Sequence, residues 1–247
     1  MPWRLTSDPY SILVSEVMLQ QTQVDRVSGK YEPFLERFPD FQALAAAPLD
    51  LVLAAWQGLG YNRRALFLRE AALRVVTDFL GVLPASVEAL ATLPGIGRAT
   101  ASAIAAFAFN APVAFIETNV RTVFIHFFFR GRERVSDREL MPLVEAALDR
   151  DDPRSWYYAL MDYGTMLKKR GEKGHRRSST YRRQSPFRGS DRQVRGKILR
   201  LLADGGPLSE AVLAESIGAP EAQVRKGIAG LYREGFLRES EEGYTIA

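Results

Sequence analysis

Across its first 165 residues the chain repeats one pattern: apolar positions at three- and four-residue steps, cut at short intervals by glycine and proline. The steps recur over residues 12–24, 44–56, 65–79, 87–93 and 99–109, the spacing of one buried helix face. Breakers fall at Phe38-Pro39-Asp40, Ala47-Pro48, Gly58-Leu59-Gly60, Gly81, Pro94-Gly95 and Pro112. Nothing alternates at the two-residue period of a strand. The expectation is an all-α body with short connections. Asp8-Pro9 supplies a cap and an early proline for the first helix, and Ser86 caps a helix that starts at Val87.

Beyond this body the chemistry of the chain changes. Residues 168–200 hold 13 Lys/Arg against 2 Asp/Glu, while the segments on either side are net acidic. Such a block either stays a solvated linker or neutralises phosphates. Tyr181 and Phe187, interleaved with the charges, favour an ordered segment that follows a nucleic-acid backbone. Past Arg192 come helical patterns over 194–202, 209–217 and Glu221–Arg233. Gly235 ends the last, and two short strands follow at 236–240 and Gly243–Ile246. Three helices and a hairpin make the layout of a winged helix, an α+β unit that reads DNA in some proteins and only packs in others. The expected organisation is a body over 1–167, a basic linker over 168–191 and a winged-helix domain over 192–247.

Several classes are excluded. The chain has no cysteine and only two histidines, His126 and His175, so thiolate and multi-histidine metal centres are out. No apolar run approaches the ~20 residues of a membrane span. The start MPWRLTSDPY lacks a secretory layout, so a cytoplasmic, nucleoid-associated location is expected. His126, inside the apolar run 123–129, reads as a core residue.

The segment Leu93-Pro-Gly-Ile-Gly-Arg-Ala-Thr-Ala101 joins two helical patterns. Its glycines permit a tight turn, and the next helix opens with free N–H groups that suit a phosphate. Gly95, Gly97, Arg98 and Thr100 are therefore candidate DNA contacts. A lone turn of this kind could equally be an ordinary helix connection. Its company decides. Residues 8–24 (DPYSILVSEVMLQQTQV), Gly58-Leu-Gly-Tyr61, the hairpin, and Glu117-Thr-Asn-Val-Arg121 together resemble the helix-hairpin-helix (HhH-GPD) DNA glycosylase superfamily. Within it they resemble most the adenine DNA glycosylases (MutY-like). The resemblance covers residues 2–166 and implies a mainly α fold of two helical subdomains. It implies base excision from double-stranded DNA carrying a lesion or mismatch, with adenine opposite a base such as 8-oxoguanine as the first expectation.

Cleaving an N-glycosidic bond creates an oxocarbenium-like sugar and needs a proton for the departing base. Glu16 sits among apolar neighbours, which raise a carboxyl's pKa and suit a general acid. On pattern alone it could also lie at the helix's solvent edge. Glu117 precedes a helix, where the dipole favours its ionised form, or where it simply caps. The resemblance implies that Glu16 protonates the base, that Glu117 stabilises the cation and that Asn119 assists. The family normally carries Asp at 117, one methylene shorter. Ala99 stands where bifunctional members carry lysine, which implies no efficient strand cleavage. Gln20, Gln21 and Tyr61 match positions that wedge or contact bases. Arg63 and Arg64 are expected at phosphates, as are Arg176, Arg177, Arg182 and Arg183 of the basic block.

The sequence also departs from the family. Lys168, His175, Ser178 and Gln184 fall at the spacing of four cluster cysteines, so no iron–sulfur cluster is expected, and no cofactor beyond a monovalent cation at the hairpin. The loop must be ordered otherwise, by DNA or by Tyr181 and Phe187. The family's helix ahead of Pro-Trp-Arg is not in this sequence, and a winged helix stands in place of the 8-oxoguanine-sensing domain. Two alternatives stay open: a glycosylase for thymine, uracil or a modified pyrimidine, and a non-catalytic DNA-binding protein on the same scaffold. A monomer is expected.

Overall fold

A computed structural model describes every residue except Lys173, Thr180, Arg183, Gln184, Ser185 and the side chain of His175. Among the described residues the chain is helical apart from one terminal hairpin. The body runs α1 (Pro9–Leu19), α2 (Val24–Arg37), α3 (Phe41–Ala46), α4 (Leu49–Trp56), α5 (Arg63–Asp78), α6 (Val87–Leu90), α7 (Arg98–Phe109), α8 (Thr118–Phe128), α9 (Asp137–Ala147) and α10 (Pro153–Lys169). Then come α11 (Asp191–Gly205), α12 (Glu210–Ile217), α13 (Glu221–Arg233) and strands β1 (Leu237–Ser240) and β2 (Gly243–Ile246). No described helix is long and apolar enough to cross a membrane.

The punctuation acts as expected. Asp8 accepts from the Ser11 amide at 2.8 Å with Pro9 in the first turn, and Ser86 accepts from Ala89 N at 3.2 Å. Two boundaries differ. The pattern over 12–24 ends early, because Gln21 adopts φ +54° and turns the chain after Leu19. The pattern over 44–56 splits at Pro48, whose ring is incompatible with an unbroken helix interior. Helices α2, α9 and α10 were not singled out by periodicity. Prolines at 33 and 142 interrupt the pattern of the first two.

Helix α1 is the hub, packed on α2, α5 and α7, while α8 lies between α9 and α10, and α10 also touches α7. This central position explains why α1 buries Ile12, Leu13, Val14, Ser15, Val17 and Met18. Helices α8 and α10 approach closely because residue 164 is glycine. A Cβ there would stand 2.6 Å from Asn119 Cβ and 2.8 Å from its carbonyl oxygen.

The segment after α10 is held by backbone bonds. Arg177 O accepts from Val135 N, and Val135 O from Ser179 N, both at 2.9 Å, and Gly174 lies against the Thr122 carbonyl. Tyr181 and Phe187, expected to pack this loop, instead remain 41% and 61% exposed. Helices α11–α13 pack around Ile198, Leu202, Val224, Ile228 and Leu231, and β1 pairs antiparallel with β2, Leu237 facing Ile246. Leu208 adds a two-bond bridge to Tyr244. Helix α11 also packs on α4 and so joins this unit to the body.

Candidate active site and DNA-facing cleft

Glu16 keeps only part of its surface on a helix otherwise sunk in the core. Burial pushes its pKa up to about 8, and the negative Glu117 adds to the rise. This coupling brings together two carboxyls far apart in the sequence. Tyr158 of α10 also feels the charge of Glu16 and has its own pKa pushed up to about 12, mainly by burial.

Glu117 is in the opposite situation. It is the N-cap of α8, and Oε1 accepts from the amides of Asn119 (2.6 Å) and Val120 (2.8 Å). Oε2 lies 3.4 Å from Asn119 Nδ2. Donors of this kind stabilise a carboxylate. The capping role and the charge beside Glu16 are therefore one arrangement, not rival readings. Asn119 Oδ1 in turn accepts from Lys168 Nζ at 2.6 Å. A carboxylic acid beside a carboxylate is the pair that glycoside cleavage uses.

One turn beyond Glu16, Gln20 Nε2 reaches Thr100 Oγ1 (3.2 Å) and the Gly95 carbonyl (3.4 Å) and ties α1 to the hairpin. Gly95 has φ +73° and leaves no room for a Cβ, which would meet Phe67 Cβ at 2.8 Å. Gly97 starts α7 with no side-chain cap, and Arg98 and Ala99 beside it are exposed. An open helix N-terminus of this kind suits a phosphate.

Beside the hairpin lies a cleft of about 950 Å³. The turn Gly58–Tyr61 forms one wall and α11 the other. Seven of its lining residues are Lys or Arg and none is acidic. Tyr61 adopts φ +48° and projects into it, 38% exposed, its hydroxyl 3.1 Å from Arg192 Nη1. Left-handed backbone at an aromatic residue is unfavourable and marks a position the surroundings hold in place. The cleft also takes in Gln20, Gln21 and Arg63. The two glutamates do not line it; Glu16 lies one turn of α1 before Gln20.

The structure corrects three expectations. Arg64 does not face a phosphate: it is 9% exposed, and Nη1 donates to Val17 O (2.7 Å), Met18 O (2.8 Å) and Gln20 O (2.6 Å) while Nη2 donates to Gly60 O (3.0 Å). Burial lowers its pKa to about 10, and its role is to join the end of α1 to the Tyr61 turn. Arg177 likewise spends Nη1 on Phe129 O at 3.0 Å. Arg176 and Arg182 are exposed, and Arg183 lies outside the described residues. Third, His126 is not a core residue. It lies at the edge of α8, with Nδ1 3.6 Å from Glu172, because the apolar run around it also includes the exposed Phe127 and Phe128.

Sequence reasoning missed Arg192 and Arg200 of α11 as walls of the cleft, and Lys168 as a neighbour of Glu117. The local charge excess contained all three but could not say where they point.

The profile of the HhH-GPD superfamily base excision DNA repair proteins matches residues 14–146. The adenine DNA glycosylase of Mycolicibacterium smegmatis is 35% identical over 98% of this chain and 89% of its own length. That of Mycobacterium tuberculosis H37Rv is 33% identical over 98% and 87%. The human adenine DNA glycosylase is 36% identical over 68% of this chain and 33% of its own. Among solved structures, a thermostable thymine-DNA glycosylase superposes with TM-score 0.60 at 28% identity, covering 67% of this chain and 78% of that one. A trapped endonuclease III–DNA intermediate, at TM-score 0.57 and 18% identity over 73% and 78%, shares the fold.

Proposed function

Because the chain belongs to the HhH-GPD superfamily of base excision DNA repair proteins, we propose that it is a DNA N-glycosylase that removes adenine from a mismatch, the opposite base being guanine or 8-oxoguanine. The observation that carries this is the pair of helix-borne glutamates: Glu16, its pKa pushed up to about 8 by burial, and Glu117, which accepts from two amides at the start of α8.

The target nucleotide leaves the stack, and Tyr61, fixed in its strained turn, fills the gap. The hairpin amides of α7 and the basic cleft hold the backbone by charge and without reading sequence. Glu16 donates its proton to the base as the C1′–N bond lengthens, so the base departs neutral. Glu117 faces the positive sugar and lowers the energy of the oxocarbenium-like state. Water then adds to C1′ and leaves an abasic site. Ala99 offers no amine, so the strand stays intact after base loss.

Double-stranded oligonucleotides, each with one mispair, test this. Free adenine is expected from A·8-oxoguanine and A·G duplexes, with no strand break before alkali. Release of thymine or uracil from G·T or G·U, with adenine untouched, would replace this reading with pyrimidine excision, which the likeness to a thymine-DNA glycosylase makes worth including.

A further inference from the structure

Helix α10 ends in a cation at the spacing where the resembled family has its first cluster thiolate. The donor set here does not fit an iron–sulfur cluster, since the chain has no cysteine. Lys168 turns instead toward α8 and donates to Asn119 Oδ1 at 2.6 Å. An ammonium has only donors, so the atom facing it must be the amide oxygen. Asn119 Nδ2 is thereby directed at Glu117 Oε2. The approach is built into the helix: Gly164, four residues earlier on the same face, lets α10 press against Asn119. Lys168 is half-buried, and its attraction to Glu117 opposes the effect of that burial.

The charged groups around Glu117 can be named element by element: Glu16 from α1, Lys168 from α10 and the amides of Asn119 and Val120 in α8. Glu16 is faced in addition by Tyr158 of α10, which Arg4 and Arg154 approach. Two neighbouring carboxyls with no cation nearby tend to share one proton. One cation placed on the Glu117 side breaks that symmetry.

We propose that Lys168 is a positioning residue for excision: its ammonium fixes the Asn119 amide and offsets the charge of Glu117, so that the proton stays on Glu16 and the negative charge on Glu117. This rests on the acid-and-stabiliser reading of the two glutamates.

Single-turnover excision from A·8-oxoguanine duplex, measured from pH 5 to 9 with K168Q, K168M and K168R, tests it. K168Q keeps a donor for Asn119 but no charge. The acid limb of its rate profile is expected to move up by about one pH unit, which lowers the rate on that limb by about tenfold, while duplex affinity stays within about twofold. K168M adds loss of the Asn119 contact and is slower at every pH. K168R keeps the charge and recovers most of the rate and the parent profile. An unshifted limb in K168Q overturns the proposal, as does equal damage in K168R and K168M. A variant that melts early yet keeps the parent profile would mark Lys168 as structural only and also overturn it. Full activity in E16Q would instead remove the underlying acid-and-stabiliser reading, so the two failures are distinguishable.

Discussion

The middle of α1 and the first turn of α8 each present one glutamate to the same place, and the two helices treat it in opposite ways. On α1 the backbone amides around Glu16 are already used within the helix, and its neighbours are apolar. Burial there pushes the carboxyl's pKa up to about 8, with the charge of Glu117 adding to the rise. At the start of α8 the amides of Asn119 and Val120 have no partner within the helix, and Glu117 accepts from both. In the proposed reaction the position along a helix, more than the residue type, sets the acid apart from the charged stabiliser.

The strongest way to break this contrast is to remove the proton that only Glu16 holds. E16Q is expected to lower single-turnover adenine release by about 10³-fold or more at pH 7, the upper part of the range for a general acid. Its affinity for mismatched duplex should change little. Next, E117Q keeps the length and hydrogen-bonding capacity of the side chain but removes the charge, with an expected loss of about 10²–10³-fold. If E117Q were fully active, Glu117 would be a cap and nothing more. The parent enzyme supplies a third check, because the rate should fall about tenfold per pH unit above about pH 8 as Glu16 ionises. E16Q should lose that limb.

Much of this arrangement was legible in the sequence, and the reasons for what was not are instructive. Glu16, Glu117, Tyr61 and the glycine hairpin were found because each sits in a short motif that resembles the family's; on pattern alone Glu16 could have lain at the solvent edge of its helix. Glu117 as cap of Thr118–Phe128 needed only local pattern. Arg64 was misread and Lys168 was missed because their partners, Val17 to Gln20 and Asn119, are more than 40 residues away. A cation's sequence neighbours do not reveal whether it faces DNA or a buried carbonyl. The expectation of a core His126 failed for a related reason. An apolar run through a helix guarantees one buried face, but it does not guarantee that every residue is on it, and here Phe127 and Phe128 are 50% and 57% exposed.

Stability separates the two glutamates with smaller effects of opposite sign. Folding raises the pKa of Glu16 from the usual carboxylate value to about 8, so the folded state binds this proton more tightly than the unfolded state. Below about pH 4 the group is protonated in both states and contributes no difference. As pH rises toward 8 the unfolded chain gains stability from ionising and the folded one does not. E16Q should therefore match the parent near pH 4 and exceed it at pH 7, by at most about 3 kcal/mol, seen as a melting temperature several degrees higher. E117A should do the reverse. It removes two amide partners at a helix start, a cap worth about 1 kcal/mol. Thermal melts of the two variants across this range would show E16Q gaining with pH while E117A lies below the parent. If both variants were destabilised with no pH dependence, burial at α1 would not be what holds the proton on Glu16, and the contrast between the helices would reduce to two ordinary polar contacts.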